Sequence, residues 1–252
     1  MKAERSLIVH CEGPESAQFD RSSPGPIADA VPQVWFATLG SIQDREERYH
    51  KLLDEEELAR AERFRFPKDR NRYILGHGLL RETLGHYLGL SAKELILRRG
   101  EFGKPFLEGN PVHFNLSDTK DAVLVAVAME PIGADIETMT RSTDHERVAE
   151  HYFTASEVVS IAAATDGKRR FLELWTRKEA VLKACGVGIM DDLKSLNVGD
   201  KLNTMTIQHP DFVRLVSPEY HVRTLNVGND HLVSIAASHP IAKLRLFEAL
   251  PQ

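Results

Sequence analysis

Residues 122–137 have the sequence AVLVAVAMEPIGADIE, which is two apolar stretches separated by a Glu130-Pro131 turn. Each stretch is typical of a β-strand, and the proline ends the first one. The second stretch carries Asp135 and Glu137 at positions i and i+2, so both side chains are predicted to leave the same face of the strand. Two carboxylates this close repel each other unless a divalent cation lies between them. A strand edge with two solvated acids is the alternative, because Asp-x-Glu alone is a weak signal.

The same turn divides the chain into two similar parts. The order strand, helices, strands is predicted once in residues 33–131 and again in residues 132–240. A shift of 97 residues pairs Arg72 with Arg169, Leu75 with Leu172, Arg81-Glu82 with Lys178-Glu179, and Gly89 with Gly186. So few matches could also arise by chance. If the duplication is real, the fold is α+β, with two pseudo-symmetric halves packed side by side around a ligand cleft.

The two ends of the chain lie outside these halves. Residues 11–32 contain four prolines, two glycines and little apolar periodicity, so residues 1–32 are predicted to be a flexible N-terminal arm. Residues 241–252 are predicted to be a C-terminal tail. The start of the chain has too short an apolar core for a signal peptide, and no apolar run approaches the ~20 residues of a membrane span. We therefore expect a soluble cytoplasmic protein that does not associate with a membrane.

The composition limits the partners of the protein. Lys and Arg number 32 and Asp and Glu number 37 among 252 residues, for a net charge of −5. Because a nucleic-acid-binding surface is basic, no nucleic acid is expected as a partner. A local basic pocket for a small phosphorylated ligand is still compatible with this charge. The two cysteines, Cys11 and Cys185, are too few for a disulfide framework or a cysteine zinc site.

Helices are predicted at about residues 69–87, ending at Gly89, and at about residues 155–163, and a short strand is predicted at about residues 194–198. A long helix is predicted from about residue 168 to 185, where Gly186 ends it. Trp175, Glu179 and Lys183 follow one another at four-residue steps, so they share one face of this helix. An exposed Glu–Lys pair is the simplest interpretation. Trp175 and Leu182 flank Glu179, however, so its carboxylate borders the buried face of the helix and needs a partner such as a metal or a lysine.

Several turns and helix ends carry further candidate residues. Residues 154–157, Thr-Ala-Ser-Glu, match a capping box, and this structural role alone accounts for Glu157. Residues 103–105, Gly-Lys-Pro, form a tight turn that projects a lysine. Residues 115–119, Asn-Leu-Ser-Asp-Thr, end a strand with short polar side chains, a pattern typical of turns and of phosphate contacts. The basic residues Arg60, Arg63, Arg65, Lys68, Arg70 and Arg72 lie close together; most such runs are solvated helix faces and a minority bind anions.

Taken together, these segments resemble the 4′-phosphopantetheinyl transferases of the surfactin-synthetase-activating type. The similarity covers about residues 34–240. Each motif is weak alone, but five motifs in the family's order are a strong signal. Its most specific parts are residues 133–137 and 175–183, and further matches are found in residues 102–106, 114–117 and 153–157.

The resemblance implies two pseudo-symmetric α+β halves with coenzyme A in the cleft between them. It also implies an enzyme that transfers the 4′-phosphopantetheine arm of coenzyme A to a serine of an apo acyl or peptidyl carrier protein and releases adenosine 3′,5′-bisphosphate. The implied cofactor is Mg²⁺, or Mn²⁺ in its place. A monomer is expected, because both halves belong to one chain.

The resemblance also implies a role for individual residues. Asp135, Glu137 and Glu179 match the metal ligands of the family. Glu157 matches the general base for the incoming serine, and Lys183 matches the residue that contacts the phosphate and stabilises or protonates the leaving group. The positions that match coenzyme A contacts are Arg60, Arg72, Lys104, Ser117 and Lys183.

One residue departs from the family's pattern. Asp118 follows Ser117, where the family usually has a histidine. A carboxylate beside a phosphate site would repel the phosphate. The expectation is therefore that Asp118 points away from the site or pairs with Lys120 or a nearby arginine.

Two other functions are alternatives. Residues 135–138, Asp-Ile-Glu-Thr, resemble the first motif of metal-dependent 3′→5′ exonucleases. That class expects the motif on its first strand and a histidine followed five residues later by an aspartate. Here 134 residues precede the motif, and no such histidine and aspartate follow it. The second alternative is a non-catalytic module that binds carrier proteins, which would be favoured if the acidic residues were incomplete.

Overall fold

Two mixed β-sheets, each covered by a long helix, form the protein in the computed structural model, which describes residues 4–27, 31–109, 111–188 and 193–249. The strands are β1 (Arg5–Ser16), β2 (Gln33–Thr38), β3 (Leu97–Arg99), β4 (Pro105–Leu107), β5 (His113–Asp118), β6 (Ala122–Ala128), β7 (Ile132–Thr138), β8 (Leu202–Ile207), β9 (Glu219–Val227), β10 (His231–Ala237) and β11 (Arg245–Glu248). The helices are α1 (Glu46–His50), α2 (Glu55–Ala61), α3 (Pro67–Leu88), α4 (His145–Tyr152), α5 (Ala155–Ala163), α6 (Gly167–Cys185) and α7 (Pro210–Leu215).

The strand order shows that the chain is an internal duplication. The N-terminal sheet has the order β11-β2-β6-β5, and the C-terminal sheet has the order β7-β10-β9-β1-β8. Within them, β2-β6-β5 and β7-β10-β9 are the same antiparallel three-stranded unit. In each unit the first strand, β2 or β7, precedes the long helix and pairs with the last strand, β6 or β10. The duplication and the α+β class predicted from the sequence are therefore confirmed. Strands β3 and β4 form a separate hairpin.

The two sheets pack face to face, and their outer faces are covered by the long helices. The side chains of β6 alternate between two cores: Val123 and Val125 face α3, whereas Leu124 and Ala126 meet the C-terminal sheet. This explains why β6 is apolar at every position, since a strand that is buried on both faces has no polar side. Helix α6 covers the far face of the C-terminal sheet.

The ends of the chain form strands, contrary to the prediction of an arm and a tail. Residues 5–16 are β1, which pairs with both β8 and β9, and β11 pairs with β2. The prediction of a flexible arm is therefore wrong for residues 5–16. Leu7, Val9 and Cys11 are buried at alternate positions of the strand, and the proline-rich composition of the following residues concealed this pattern.

The long helices end where the sequence predicts. The C-cap residues of α3 and α6 are Gly89 and Gly186, both in the left-handed conformation that glycine adopts without strain. The predicted helices at 155–163 and 168–185 agree with α5 and α6 to within one residue. By contrast, the strand expected at 194–198 is a 3₁₀ turn at Leu193–Ser195 followed by a loop.

Each half contains a buried ion pair between a capping-box glutamate and a cation of its long helix. In the N-terminal half, Glu57 of α2 pairs with Arg81 of α3 at 2.5 Å. In the C-terminal half, Glu157 of α5 pairs with Lys178 of α6 at 2.9 Å. The same arrangement therefore recurs in both halves, as a duplication requires. Among the described residues, no helix is long and apolar enough to cross a lipid bilayer.

Candidate active site

Helix α6 lies directly on strand β7, and a glycine makes this approach possible. A Cβ atom on Gly133 would lie 2.0 Å from the carbonyl oxygen of Ala180 and 2.3 Å from the amide nitrogen of Ala184. Because both neighbours are backbone atoms, only a residue without a side chain fits. The contact brings the polar face of α6 against the carboxylates of β7.

Asp135 is at the centre of the resulting cluster and is 5% exposed. Its Oδ1 atom accepts hydrogen bonds from Lys183 Nζ at 2.5 Å and from Ser117 Oγ at 2.9 Å. Lys183 Nζ also donates to Ser117 Oγ at 3.0 Å. Side chains from β5, β7 and α6 thus meet at one point.

Two carboxylate oxygens of the cluster have no hydrogen-bond partner in the part of the chain that the structure describes. They are Asp135 Oδ2 and Glu179 Oε1, and both are buried. A buried oxygen without a partner is costly, and folded proteins retain few of them. The third carboxylate, Glu137, is also buried and forms an ion pair with Arg141, four residues further along the chain.

Burial and mutual repulsion shift the pKa of the acids in the cluster. Burial raises the pKa of Glu137 to about 7, and the charges of Asp135 and Glu179 add to this effect. Burial also raises the pKa of Glu179 to about 7, again with a contribution from Asp135. For Lys183, burial lowers the pKa, but the neighbouring carboxylates outweigh this and the net shift is upward. Near neutral pH, Glu137 and Glu179 are therefore only partly ionised, because burial and the neighbouring carboxylates oppose further negative charge in the cluster.

These residues fit a hard divalent cation. The cluster offers three carboxylates, and two of them have a buried oxygen with no partner among the residues that the structure describes. Mg²⁺ and Mn²⁺ prefer such an all-oxygen set and complete their coordination with water and substrate oxygens. A cation here would satisfy the unpaired oxygens and would remove the repulsion that raises the pKa of the two glutamates.

The cluster lies where the two halves meet. Strand β7 is at the edge of its sheet, and side chains of β5 take the place of a neighbouring strand. Asn115 Oδ1 accepts a hydrogen bond from the amide of Ala134 at 2.8 Å, and Ser117 Oγ accepts one from the amide of Ile136 at 3.3 Å. Ser117 thus links the N-terminal half both to the backbone of β7 and to the carboxylate of Asp135.

Glu157 does not join this cluster. Its side chain is fully buried, with Oε1 accepting from the amide of Val198 at 2.9 Å and Oε2 accepting from the amide of Thr154 at 2.9 Å and from Lys178 Nζ. The capping box with Thr154 is complete. The structure therefore supports the structural interpretation of Glu157, since a carboxylate with these partners is shielded from an incoming hydroxyl group.

Asp118 pairs with an arginine, as one of the expectations for it required. Its Oδ2 atom lies 2.6 Å from Arg72 Nε, and Arg72 Nη1 lies 3.1 Å from Asp69. Burial raises the pKa of Asp118, whereas Arg72 and Lys183 oppose that shift. Lys120 instead donates to the carbonyl oxygen of Thr140. Arg72 is therefore held at the end of β5 by Asp118, the residue that follows Ser117 in the sequence.

Lys104 connects the hairpin to the C-terminal half. Its Nζ donates to the carbonyl oxygens of Ile132 at 3.0 Å and Ala184 at 3.3 Å. Burial lowers the pKa of Lys104 to about 8. The side chain borders a groove of about 410 Å³ whose rim includes the half-exposed Phe102 and Phe106.

Arg60 lies on the surface of α2, away from these hydrogen bonds. Its guanidinium group is 6.0 Å from the centre of the Tyr73 ring, a cation–π distance. The hydroxyl group of Tyr73 is buried and has no partner among the described residues. Arg60, Arg72 and Lys104 thus belong to different parts of the N-terminal half, namely α2, α3 and the turn before β4.

Sequence reasoning missed the roles of three residues that shape the site, Asn115, Gly133 and Arg141. The alternation of Asn115 and Ser117 places both on one face of β5, a pattern that could have predicted their shared role. The glycine two residues before Asp135 is also visible in the sequence, but its function depends on a helix that lies 40 or more residues away. Nothing in the sequence indicates that Arg141 turns back to Glu137.

The structure is thus that of a two-half α+β protein in which a buried cluster of carboxylates and a lysine lies where the halves meet. Comparison with known protein families agrees with this description. The model of the 4′-phosphopantetheinyl transferase superfamily matches residues 131–236, and the model of the N-terminal region of 4′-phosphopantetheinyl transferases matches residues 42–130.

Individual relatives match across both halves. The chain is 34% identical over 170 residues to the 4′-phosphopantetheinyl transferase HetI of Nostoc sp., which covers 65% of this chain and 71% of the relative. It is 29% identical over 202 residues to the 4′-phosphopantetheinyl transferase Sfp of Bacillus subtilis, covering 79% and 88% respectively. It is 33% identical over 142 residues to the 4′-phosphopantetheinyl transferase gsp of Aneurinibacillus migulanus, covering 56% and 58%.

The chain belongs to the 4′-phosphopantetheinyl transferase family. It is therefore an enzyme that transfers the phosphopantetheinyl group to carrier proteins. This membership excludes both the exonuclease and the non-catalytic module that the sequence left as alternatives.

Proposed function

We propose that this enzyme transfers 4′-phosphopantetheine from coenzyme A to a serine of an apo acyl or peptidyl carrier protein, with adenosine 3′,5′-bisphosphate as the second product. The observation that carries the proposal is a pair of buried oxygens, on Asp135 and Glu179, that have no partner within the described part of the chain and lie near the ammonium group of Lys183. This arrangement suits a reaction at a diphosphate, whose negative charge needs both a cation and a hydrogen-bond donor.

Asp135, Glu137 and Glu179 are the residues that would hold Mg²⁺, or Mn²⁺ in its place. When bound, the ion neutralises negative charge on the diphosphate of coenzyme A. Of the three residues, Glu137 already has a cationic partner in Arg141. Arg141 is 42% exposed on its side chain, so it can move toward solvent when the carboxylate is used as a ligand.

Lys183 is proposed to contact the phosphate and to stabilise the leaving group. Its hydrogen bonds to Asp135 and Ser117 fix the direction of the ammonium group. The upward shift of its pKa means that Lys183 is charged at neutral pH. It can therefore donate hydrogen bonds to a phosphate oxygen, and a proton to the departing bisphosphate if the leaving oxygen requires one.

Arg60, Arg72, Lys104 and Ser117 are proposed to contact coenzyme A. Arg72 is the most constrained of these, because Asp69 and Asp118 hold its guanidinium from two sides. Asp118 is thus proposed to position Arg72 rather than to face the phosphate. Lys104 would reach the ligand only by exchanging its hydrogen bonds to the two backbone carbonyls for bonds to the ligand.

Glu157 is assigned to stability instead of proton transfer, because each of its oxygens already has a buried partner.

The partners of the enzyme are proposed to be coenzyme A and a carrier protein, without nucleic acid. A monomer is sufficient for this function, since both sides of the cluster come from one chain: Ser117 from the N-terminal half and Asp135 from the C-terminal half.

The direct test is transfer to a panel of apo carrier proteins from fatty-acid, polyketide, peptide-synthetase and lysine pathways. Each carrier is incubated with the enzyme, coenzyme A and MgCl₂, and its mass is measured. We expect a gain of one phosphopantetheine group on at least one carrier. Asp135→Ala and Glu179→Ala should abolish this gain while preserving the circular-dichroism spectrum.

Glu47→Ala is the matched control, because this glutamate is exposed and lies on α1, outside the cluster. Its activity should equal that of the unmodified enzyme. No mass gain on any carrier would contradict the proposed reaction. Full activity of both cluster variants would contradict the assigned metal ligands.

A further inference from the structure

A second cluster of possible metal ligands lies on the C-terminal sheet, outside the carboxylate site. His10 of β1 and His221 of β9 are paired residues of these parallel strands. Glu219 lies two residues before His221 and therefore projects from the same face. Val9, which precedes His10, and Tyr220, which lies between Glu219 and His221, point the other way, into the core beneath α6. The cluster thus occupies the opposite face of the sheet.

The ligand atoms of the three side chains converge. Glu219 Oε1 lies 2.7 Å from His10 Nε2 and 3.2 Å from His221 Nε2. One donor atom from each residue lies within 4.8 Å of the other two. The imidazole rings are stacked, with centroids 4.5 Å apart and planes 5° from parallel. A tetrahedral ion bound at roughly 2.0–2.2 Å holds its ligand atoms about 3.3–3.6 Å apart, so rotation of the two rings about their side-chain bonds is needed to place an ion between the three atoms.

We propose that His10, Glu219 and His221 bind one Zn²⁺ ion, or a transition-metal ion of similar chemistry, with water as a fourth ligand. Two imidazoles and one carboxylate form a ligand set that suits zinc, copper and nickel, whereas Mg²⁺ prefers oxygen alone. The site therefore differs in chemistry from the all-carboxylate cluster around Asp135. Its side chains are partly exposed, at 37%, 43% and 18% for His10, Glu219 and His221, so an ion can enter from solvent.

The surroundings favour a cation at this position. Arg223, which follows on the same face of β9, is already paired with Glu15. Glu12, two residues beyond His10 on β1, adds a further negative charge. The strands on either side contribute uncharged residues, because Leu202 of β8 pairs with His10 and Ala237 of β10 pairs with His221.

The bound ion would join β1 to β9. These strands are more than 200 residues apart in sequence, and β1 is held in the sheet by β8 and β9. The ligands come together only in the folded chain, so an ion that binds them stabilises the folded state. The site is thus a link that fastens the first strand of the protein to the C-terminal half.

Zinc binding to the full chain tests this proposal. The Asp135→Ala/Glu179→Ala variant is used to remove binding at the carboxylate cluster, and metal-free protein is titrated with ZnCl₂ by calorimetry. We expect one equivalent of Zn²⁺ and a higher melting temperature with the ion present. Because loss of a residue that merely supports a ligand costs about 10–100-fold in affinity, adding His10→Gln and His221→Gln should weaken binding by more than about 100-fold.

His239→Gln is the matched control, since this histidine follows β10 and is outside the cluster. Its zinc affinity should be unchanged. A measurement on the unmodified chain needs no variant: the ring resonances of His10 and His221 should shift on zinc addition. Equal zinc affinity with and without the two histidines, or ring resonances that do not respond, would overturn the proposal.

Discussion

The raised pKa values of the glutamates in the carboxylate cluster make the free energy of unfolding depend on pH in a defined direction. The pKa of Glu179 is about 7 in the folded protein and 4.5 when the residue is free of its surroundings. Between these values the folded state retains a proton that the unfolded chain has released. The free energy of unfolding therefore falls as the pH rises from about 4.5 to about 7. Glu137 contributes in the same direction, because its pKa is also raised to about 7.

We accordingly predict that Glu179→Gln becomes more stable relative to the unmodified protein as the pH is raised from 5 to 8 in the presence of a chelator. Melting temperatures measured across this range provide the comparison. Excess MgCl₂ should reduce the difference, since a bound cation removes the repulsion that opposes ionisation. A difference that is constant with pH would show that the carboxyl group of Glu179 is not perturbed.

Glu157→Gln distinguishes a structural role from a catalytic one. Glutamine retains the capping box but removes the negative charge that faces Lys178, and both side chains are fully buried. Loss of one partner of a buried ion pair costs about 3–5 kcal/mol, so we predict a loss of this order in urea unfolding. Lys178→Met in the same chain should recover part of it. An unchanged unfolding free energy together with lost transfer activity would instead support the general-base role.

At single positions, the sequence predicted the chemistry better than the contacts. The shared face of Asp135 and Glu137 followed from strand periodicity alone, and so did the position of Lys183 one helical turn after Glu179. The arginine that pairs with Asp118 could only be named once α3 and β5 were placed together. Partners of this kind depend on tertiary structure, which local spacing does not contain.

At the scale of elements, Gly133 determines how closely α6 can approach β7. We predict that Gly133→Ala lowers both the melting temperature and the transfer activity, because the new methyl group would collide with backbone atoms of α6 at 2.0–2.3 Å. The helix must then move away and carry Glu179 and Lys183 with it. A displacement of about 1 Å at a catalytic site can cost about 100-fold in rate, and a loss of this order is expected.

Gly76→Ala is the control for this substitution. Gly76 lies within α3, and its Cβ would meet the nearest side chains at ordinary distances of 3.7–3.8 Å. Alanine is favoured over glycine inside a helix by about 0.5–1 kcal/mol, so this variant should be slightly more stable and fully active. Equal activity of the two variants would mean that the contact between α6 and β7 does not position the catalytic residues.

Elements with a strong local sequence signal were predictable, and the strands at the two ends of the chain were not. Strand β6 and helix α5 were predicted with their observed bounds, because a long apolar run and a capping box are local signals. Strand β1 was missed although Leu7, Val9 and Cys11 alternate correctly, since its partners β8 and β9 lie more than 190 residues away in the sequence. The composition of residues 11–32 indicated a linker and outweighed this short pattern.

For the whole molecule, the terminal strands cross between the halves. The first strand, β1, belongs to the C-terminal sheet, and the last, β11, belongs to the N-terminal sheet. The inner faces of the two sheets also share one apolar core, which includes Leu124 from one half and Ile136 from the other. A duplicated chain could consist of two independent domains, but the shared core and the crossed strands indicate a single cooperative unit.

The two tryptophans allow this cooperativity to be tested, because Trp35 lies on β2 of the N-terminal half and Trp175 lies on α6. We predict that Trp175→Phe, which leaves Trp35 as reporter, and Trp35→Phe, which leaves Trp175, unfold in urea at the same midpoint. Leu174→Ala, in the core of the C-terminal half, should cost about 2–5 kcal/mol and lower the midpoint seen by both reporters. A shift confined to the Trp175 signal would show that the halves unfold separately, and the crossed strands would then not couple them.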